Sequence, residues 1–85
     1  MMVKLVYFAW VREKIGKDEE DLDLPETVQT GADLIAHLAT LGDDYADALQ
    51  YPNAIRIAIN MEHAEHDEPI SGAREIGLFP PMTGG

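Results

Sequence analysis

The residues able to do chemistry in this 85-residue chain fall into a few short runs. The last is Pro80-Pro81-Met82-Thr83-Gly84-Gly85. Proline donates no backbone hydrogen bond, so a central strand cannot continue through Pro80 and Pro81. The two final glycines have no Cβ, which leaves the carboxylate of Gly85 on a thin, flexible arm open to close approach by another protein's backbone. A frayed end has the same composition, and the residues alone leave both readings open. A second run sets His63 and His66 among Glu62, Glu65 and Asp67. Metal ligands must converge, whereas a spacing of three along a strand sends two imidazoles to opposite faces, so this run reads as a solvated polar edge and no metal is expected. A third, Glu19-Glu20-Asp21, reads as a solvated strand face, or alternatively as a contact for a basic partner patch. Cysteine is absent, which removes thiolate nucleophiles, thiolate metal sites and disulfides together, and fits a reducing compartment.

Charge narrows the partners. Six basic residues against sixteen acidic ones give a net charge of −10. Nucleic-acid binding and anionic membranes both call for clustered Lys and Arg, so neither is expected. A protein this acidic should meet a basic protein surface, with charge steering the encounter. The apolar run Val3 to Val11 contains Lys4, is followed at once by Arg12 and has no small-residue cleavage site, so a cytoplasmic protein without a targeting signal is expected.

The elements that must carry these residues read as one small α+β domain. Val3 to Ala9 is a β-rich, nearly continuous apolar strand. Trp10 to Ile15 is a short helix or turn with Gly16 as its C′ residue. Asp18 to Leu24 is an exposed strand stopped by Pro25. Thr30 with Asp33 approximates a capping box, after which Leu34, Ile35, Leu38 and Leu41 share a helical face that Gly42 closes. Asp44 to Leu49 is a second short helical piece, broken at Pro52-Asn53. Ile55 to Asn60 alternates as a half-buried strand, Met61 to His66 is a weak, charged edge strand, and Glu75 to Phe79 is the last strand. The first and last strands, both rich in large apolar residues, suit neighbouring central positions, with the tail leaving from the end of a central strand. The domain is placed at 1–79 and the tail at 80–85.

The end Leu78-Phe79-Pro80-Pro81-Met82-Thr83-Gly84-Gly85 resembles that of the small subunits of molybdopterin synthase, a family of sulfur carriers with the ubiquitin-like β-grasp fold. The stretch Val6 to Gly16 is similar to that family's first strand and turn, Ala58-Ile59-Asn60 to its third strand, and Asp67 to Ile70 to the loop before its last strand. The resemblance is loosest in the middle, and Gly72-Ala73-Arg74-Glu75 stands where the family usually has a Gly-Asp-Glu turn. It implies a mixed sheet of four to five strands with one main helix packed on one face and a flexible C-terminal Gly-Gly tail.

It also implies a chemistry. A carboxylate is a poor electrophile because oxide would have to leave. The family's answer is ATP: an activating enzyme makes the acyl-adenylate of Gly85, a sulfur donor attacks, and AMP departs to leave a thiocarboxylate. The loaded carrier then docks with the large synthase subunit, in an assembly of two small and two large subunits, and gives sulfur to a pterin precursor that becomes a dithiolene. The chain itself is expected to hold no permanent cofactor and no general base, the catalytic groups lying on its partners. Six extended residues reach roughly 20 Å, enough to enter a partner's active site. Pro80, Pro81, Met82, Thr83 and Gly84 are the inserting segment, and the chain is expected to end at Gly85. Strand alternation turns one of Leu78 and Phe79 outward, so the two are candidate docking residues, Phe79 preferred, with Arg12 as a third. Two other classes share the terminus: a thiamine-pathway sulfur carrier and a ubiquitin-like modifier joined to target lysines through Gly85.

Overall fold

The structure is a computed structural model and describes residues 1–81. Strand β1 (Met2–Tyr7) leads through helix α1 (Ala9–Ile15) into β2 (Glu19–Asp23). Helices α2 (Gly31–Leu38) and α3 (Asp43–Ala48) follow, then a 3₁₀ turn (Pro52–Ala54). Strands β3 (Arg56–Ile59), β4 (Glu62–Ala64) and β5 (Glu75–Phe79) complete the order. Among the described residues five strands form one mixed sheet in the order β2-β1-β5-β3-β4. β1 and β5 run parallel with Tyr7 beside Leu78, and the other pairings are antiparallel. The first and last strands are therefore neighbours, and β5 is the middle strand, as their apolar content predicts.

One face of the sheet is packed. Alternation turns Val3, Leu5 and Tyr7, Ile76 and Leu78, and Ile57 to the same side, where all are buried. Val11 and Ile15 of α1, Leu34, Ile35 and Leu38 of α2, and Tyr45 and Ala48 of α3 cover them. Each large aliphatic group buried this way contributes about 1.5–3 kcal/mol. The ends of the helices follow local rules. Gly16 closes α1 with a left-handed φ of +85° and donates its N–H to the carbonyl of Arg12. At the start of α2, Thr30 Oγ1 accepts from the Asp33 N–H at 3.2 Å, and Asp33 Oδ2 accepts from the Thr30 N–H at 3.3 Å. The capping box is complete, with aspartate in the place usually held by glutamate.

The end of α2 departs from expectation. The helix stops at Leu38, the next turns tighten to i→i+3 bonds, and the Thr40 hydroxyl donates to the His37 carbonyl at 2.6 Å. Leu41 lies past the last α-turn and is exposed, and Gly42 caps the start of α3 instead of closing α2. The periodic pattern of leucines therefore runs one turn beyond the helix, whose end tightens to i→i+3 bonds.

Candidate functional site

The opposite face of the sheet is not covered by the helices. On it the registers set Val6, Gly77, Ala58 and His63 in one row across four strands. Phe8 follows β1 in an extended conformation, and Ala9, with φ +52°, turns the chain away into α1. The Phe8 ring lies against Gly77. A Cβ at position 77 would stand 3.0 Å from Phe8 Cε2, so the missing side chain is what lets the ring sit down on the middle strand. Phe8 then meets Phe79 edge to face, with ring centroids 6.4 Å apart and planes at 82°. Phe8, Phe79, Gly77, Ala58, Met61 and Glu75 line a shallow apolar groove. Phe79 is the last residue of β5, so the groove adjoins the root of the tail. Pro80 and Pro81 are half-buried. Met82, Thr83, Gly84 and Gly85, which carry the expected chemistry, lie outside the described residues.

The three expected docking residues separate. Phe79 is half-buried on the open face and lines the groove. Leu78 is fully buried in the core and is not available to a partner, because the same alternation that turns Phe79 out turns Leu78 in. Arg12 is exposed on α1, 3.8 Å from Asp18 Oδ1 through Nε, and is not among the residues lining the groove. Two lining residues were missed. Phe8 was read only as part of an apolar strand, although its place one residue after inward-facing Tyr7 turns it out. The sequence places Met61 at the start of a weak edge strand. It sits instead in the two-residue turn between β3 and β4, where Asn60 (φ +50°) and Met61 (φ +71°) are both left-handed. Asparagine between two short strands was the signal for such a turn.

The acidic run on β2 also divides. Glu19 pairs with Lys4 at 3.4 Å, at the surface. Glu20 is half-buried. It faces the packed side, where its Oε2 accepts from the Tyr7 hydroxyl at 2.7 Å and the Tyr45 hydroxyl at 2.6 Å. Lys17 Nζ donates to Glu20 Oε1 at 2.9 Å and to the Tyr45 hydroxyl at 2.7 Å. Burial pushes the Glu20 carboxyl up, but the hydrogen bonds from Tyr45, Tyr7 and Lys17 outweigh it and hold the carboxyl below its ordinary range. Burial and the Glu20 contact push both Tyr7 and Tyr45 up, and the Tyr45 and Glu20 bonds push Lys17 up. The cluster ties β1, β2, α3 and the α1–β2 loop together under the point where β1 hands over to Phe8. The two histidines diverge as well. His63 is exposed on the open face, and His66 Nε2 lies 2.7 Å from the Ile55 carbonyl.

Comparison with known proteins adds a family. A family model described as the ThiS family matches residues 5–85. The molybdopterin synthase sulfur carrier subunit of Escherichia coli (strain K12) is 36% identical over 86 residues, covering 99% of this chain and 100% of that protein. Among solved structures, SAMP1 from Haloferax volcanii superposes with a TM-score of 0.72 at 23% identity, covering 100% of both chains. A chain from a complex of subunits 1 and 2 of the molybdopterin-converting factor of Helicobacter pylori 26695 gives 0.63 at 20% identity, again over 100% of both. At such identities the structural likenesses establish the ubiquitin-like β-grasp fold.

Proposed function

This chain belongs to the ThiS family, and from that premise we propose that it is the sulfur carrier subunit of a molybdopterin synthase, acting in the cytoplasm. The observation that carries the reading is full-length likeness, at 36% identity, to a relative of that name. The Phe-Pro-Pro-Met-Thr-Gly-Gly terminus and the apolar groove at its root support it.

The Gly85 carboxylate oxygen attacks the α-phosphorus of ATP in the activating enzyme, and pyrophosphate leaves. A sulfur nucleophile then attacks the acyl carbon and AMP leaves, so the terminus becomes a thiocarboxylate. Glycine suits both steps because it offers no side chain to hinder attack. In the synthase the sulfur passes to a carbon of the pterin precursor, and water restores the carboxylate. A dithiolene holds two sulfurs, so two loaded carriers serve each product. The large subunit is the partner at this stage, in agreement with the Helicobacter pylori complex of two converting-factor subunits. The body contributes recognition. Phe8 and Phe79 dock against the protein holding the tail, and burying such aromatics in a partner's pocket is worth several kcal/mol at an interface hot spot. The net charge of −10 steers the encounter toward basic surfaces.

Intact-mass spectrometry after incubation with an activating enzyme, ATP and sulfide tests the reading. Exchange of one oxygen for sulfur at Gly85 is expected, and deletion of Gly85 should abolish both this product and molybdopterin synthesis with the melting temperature unchanged. Adducts joining the chain to lysines of other proteins, with no thiocarboxylate, would replace the carrier reading with a modifier.

A further inference from the structure

We propose that Met61 is a docking residue, whose side chain the β3–β4 turn presents to the large synthase subunit as that subunit receives the tail. The proposal rests on the docking role assigned above to the face around Phe79.

The turn is unusual in its residues. Two-residue connections with positive φ at both central positions favour asparagine followed by glycine. Asn60 fits that preference, but the second position, at φ +71°, is held by methionine. A side chain in the left-handed region is disfavoured because its Cβ crowds the backbone. Residues held against their backbone preference cluster at functional sites. Met61 gains nothing from the domain in return, since it is 86% exposed, the most exposed large apolar side chain among the described residues. Glycine there would relieve the backbone and remove an apolar group from water.

The turn is also held firmly. The Asn60 N–H donates to the Glu75 carbonyl at 2.8 Å. Asn60 Oδ1 accepts from the N–H of Arg74 at 2.9 Å and from that of Glu75 at 3.2 Å. These bonds pin the hairpin tip to the entry of β5, so the Met61 backbone is fixed beside the groove before any partner arrives. Pre-organisation of this kind lowers the ordering cost of binding. The thioether side chain is soft and unbranched, which suits it to an irregular apolar surface.

The groove defines its occupant. Phe8, Phe79 and Met61 flank a floor of Gly77 and Ala58, which accepts an apolar ridge. Glu75 lines the same groove and makes no ion pair among the described residues, so the ridge should carry a lysine or arginine beside it. Phe79 both lines the groove and precedes Pro80, so the groove lies at the root of the segment that a partner draws inward.

The test uses the full chain and the large molybdopterin synthase subunit of the same organism, with affinity measured by calorimetry and stability by thermal melting. Met61→Gly is expected to raise the melting temperature by about 4 °C, from relief of one left-handed residue. The same change should weaken binding about tenfold, as loss of a hot-spot side chain does. Met61→Leu, which keeps the apolar bulk, should restore most of the affinity. A purely structural role would move stability and affinity together. Phe79→Ala is the control: if it weakens binding while Met61→Gly does not, this inference is overturned and the docking reading stands. If neither changes the affinity, the docking reading fails and this inference falls with it.

Discussion

The two faces of the sheet are made by the same strands and differ in almost every physical respect. The packed face carries Val3, Leu5, Tyr7, Ile57, Ile76 and Leu78, large and buried. The open face carries a row of small residues, Gly77 and Ala58, flanked by aromatics that remain in contact with solvent. Leu78 and Phe79 are adjacent and equally apolar, yet one is core and the other is surface. Polar chemistry divides in the same way. Glu20 on the packed side is enclosed by three donors, whereas Glu75 lies on the open side without an ion pair among the described residues. The packed face holds the domain together, and the open face is free to serve a partner. That division lets a carrier of 85 residues keep a stable body while one face of its sheet stays uncovered.

Substitutions on each side can break or sharpen this contrast. The largest effect is expected from Leu78→Ala, which empties a fully buried site and should cost about 2–5 kcal/mol. Thermal melting reads this as a fall of at least about 8 °C. If Leu78→Ala melted like the wild type, the assignment of the packed face would be wrong.

Next comes Glu20→Ala, which strands the hydroxyls of Tyr7 and Tyr45 and should cost about 1–3 kcal/mol. It also changes the pH profile. The Glu20 carboxyl is held below its ordinary value of 4.5, so folding favours the charged form. That contribution is present above 4.5 and disappears as the pH falls through the lower value of the folded state. Urea midpoints measured down through the acid range should therefore fall less steeply for Glu20→Ala than for the wild type. Parallel curves would show that the cluster contributes no such linkage.

The smallest effect on the fold is expected from Gly77→Ala. A Cβ 3.0 Å from Phe8 Cε2 makes that exposed ring give way by a few tenths of an ångström. Stability should change by less than about 1 kcal/mol, because alanine also removes the entropic cost of glycine in a strand. The ring-current shifts between Phe8 and Phe79 should nevertheless change in the proton spectrum, since their edge-to-face contact is displaced. Unchanged shifts would mean that Gly77 does not seat the ring.

Much of this was legible in the residues. Strand alternation, the Thr30–Asp33 cap, Gly16 and the two apolar strands at either end are local or short-period signals, so they fixed the elements and the central pair. The terminal Phe-Pro-Pro-Met-Thr-Gly-Gly run carried the carrier chemistry through family resemblance. The end of α2 differs from the periodic pattern because the tightening to i→i+3 bonds after Leu38 leaves no trace in hydrophobic periodicity. Glu20 was misread because nothing on β2 announces two tyrosines thirteen and twenty-five residues away.

The sequence by itself determined which strands and helices form, the surplus of negative charge, and the absence of thiol chemistry, since each depends on residue type and short-range spacing. Only the tertiary structure decided which of Leu78 and Phe79 faces outward, that Phe8 rests on Gly77, and that Met61 stands beside them. Those outcomes depend on strand register and on which face the helices cover, and both are set by contacts between residues far apart in the chain.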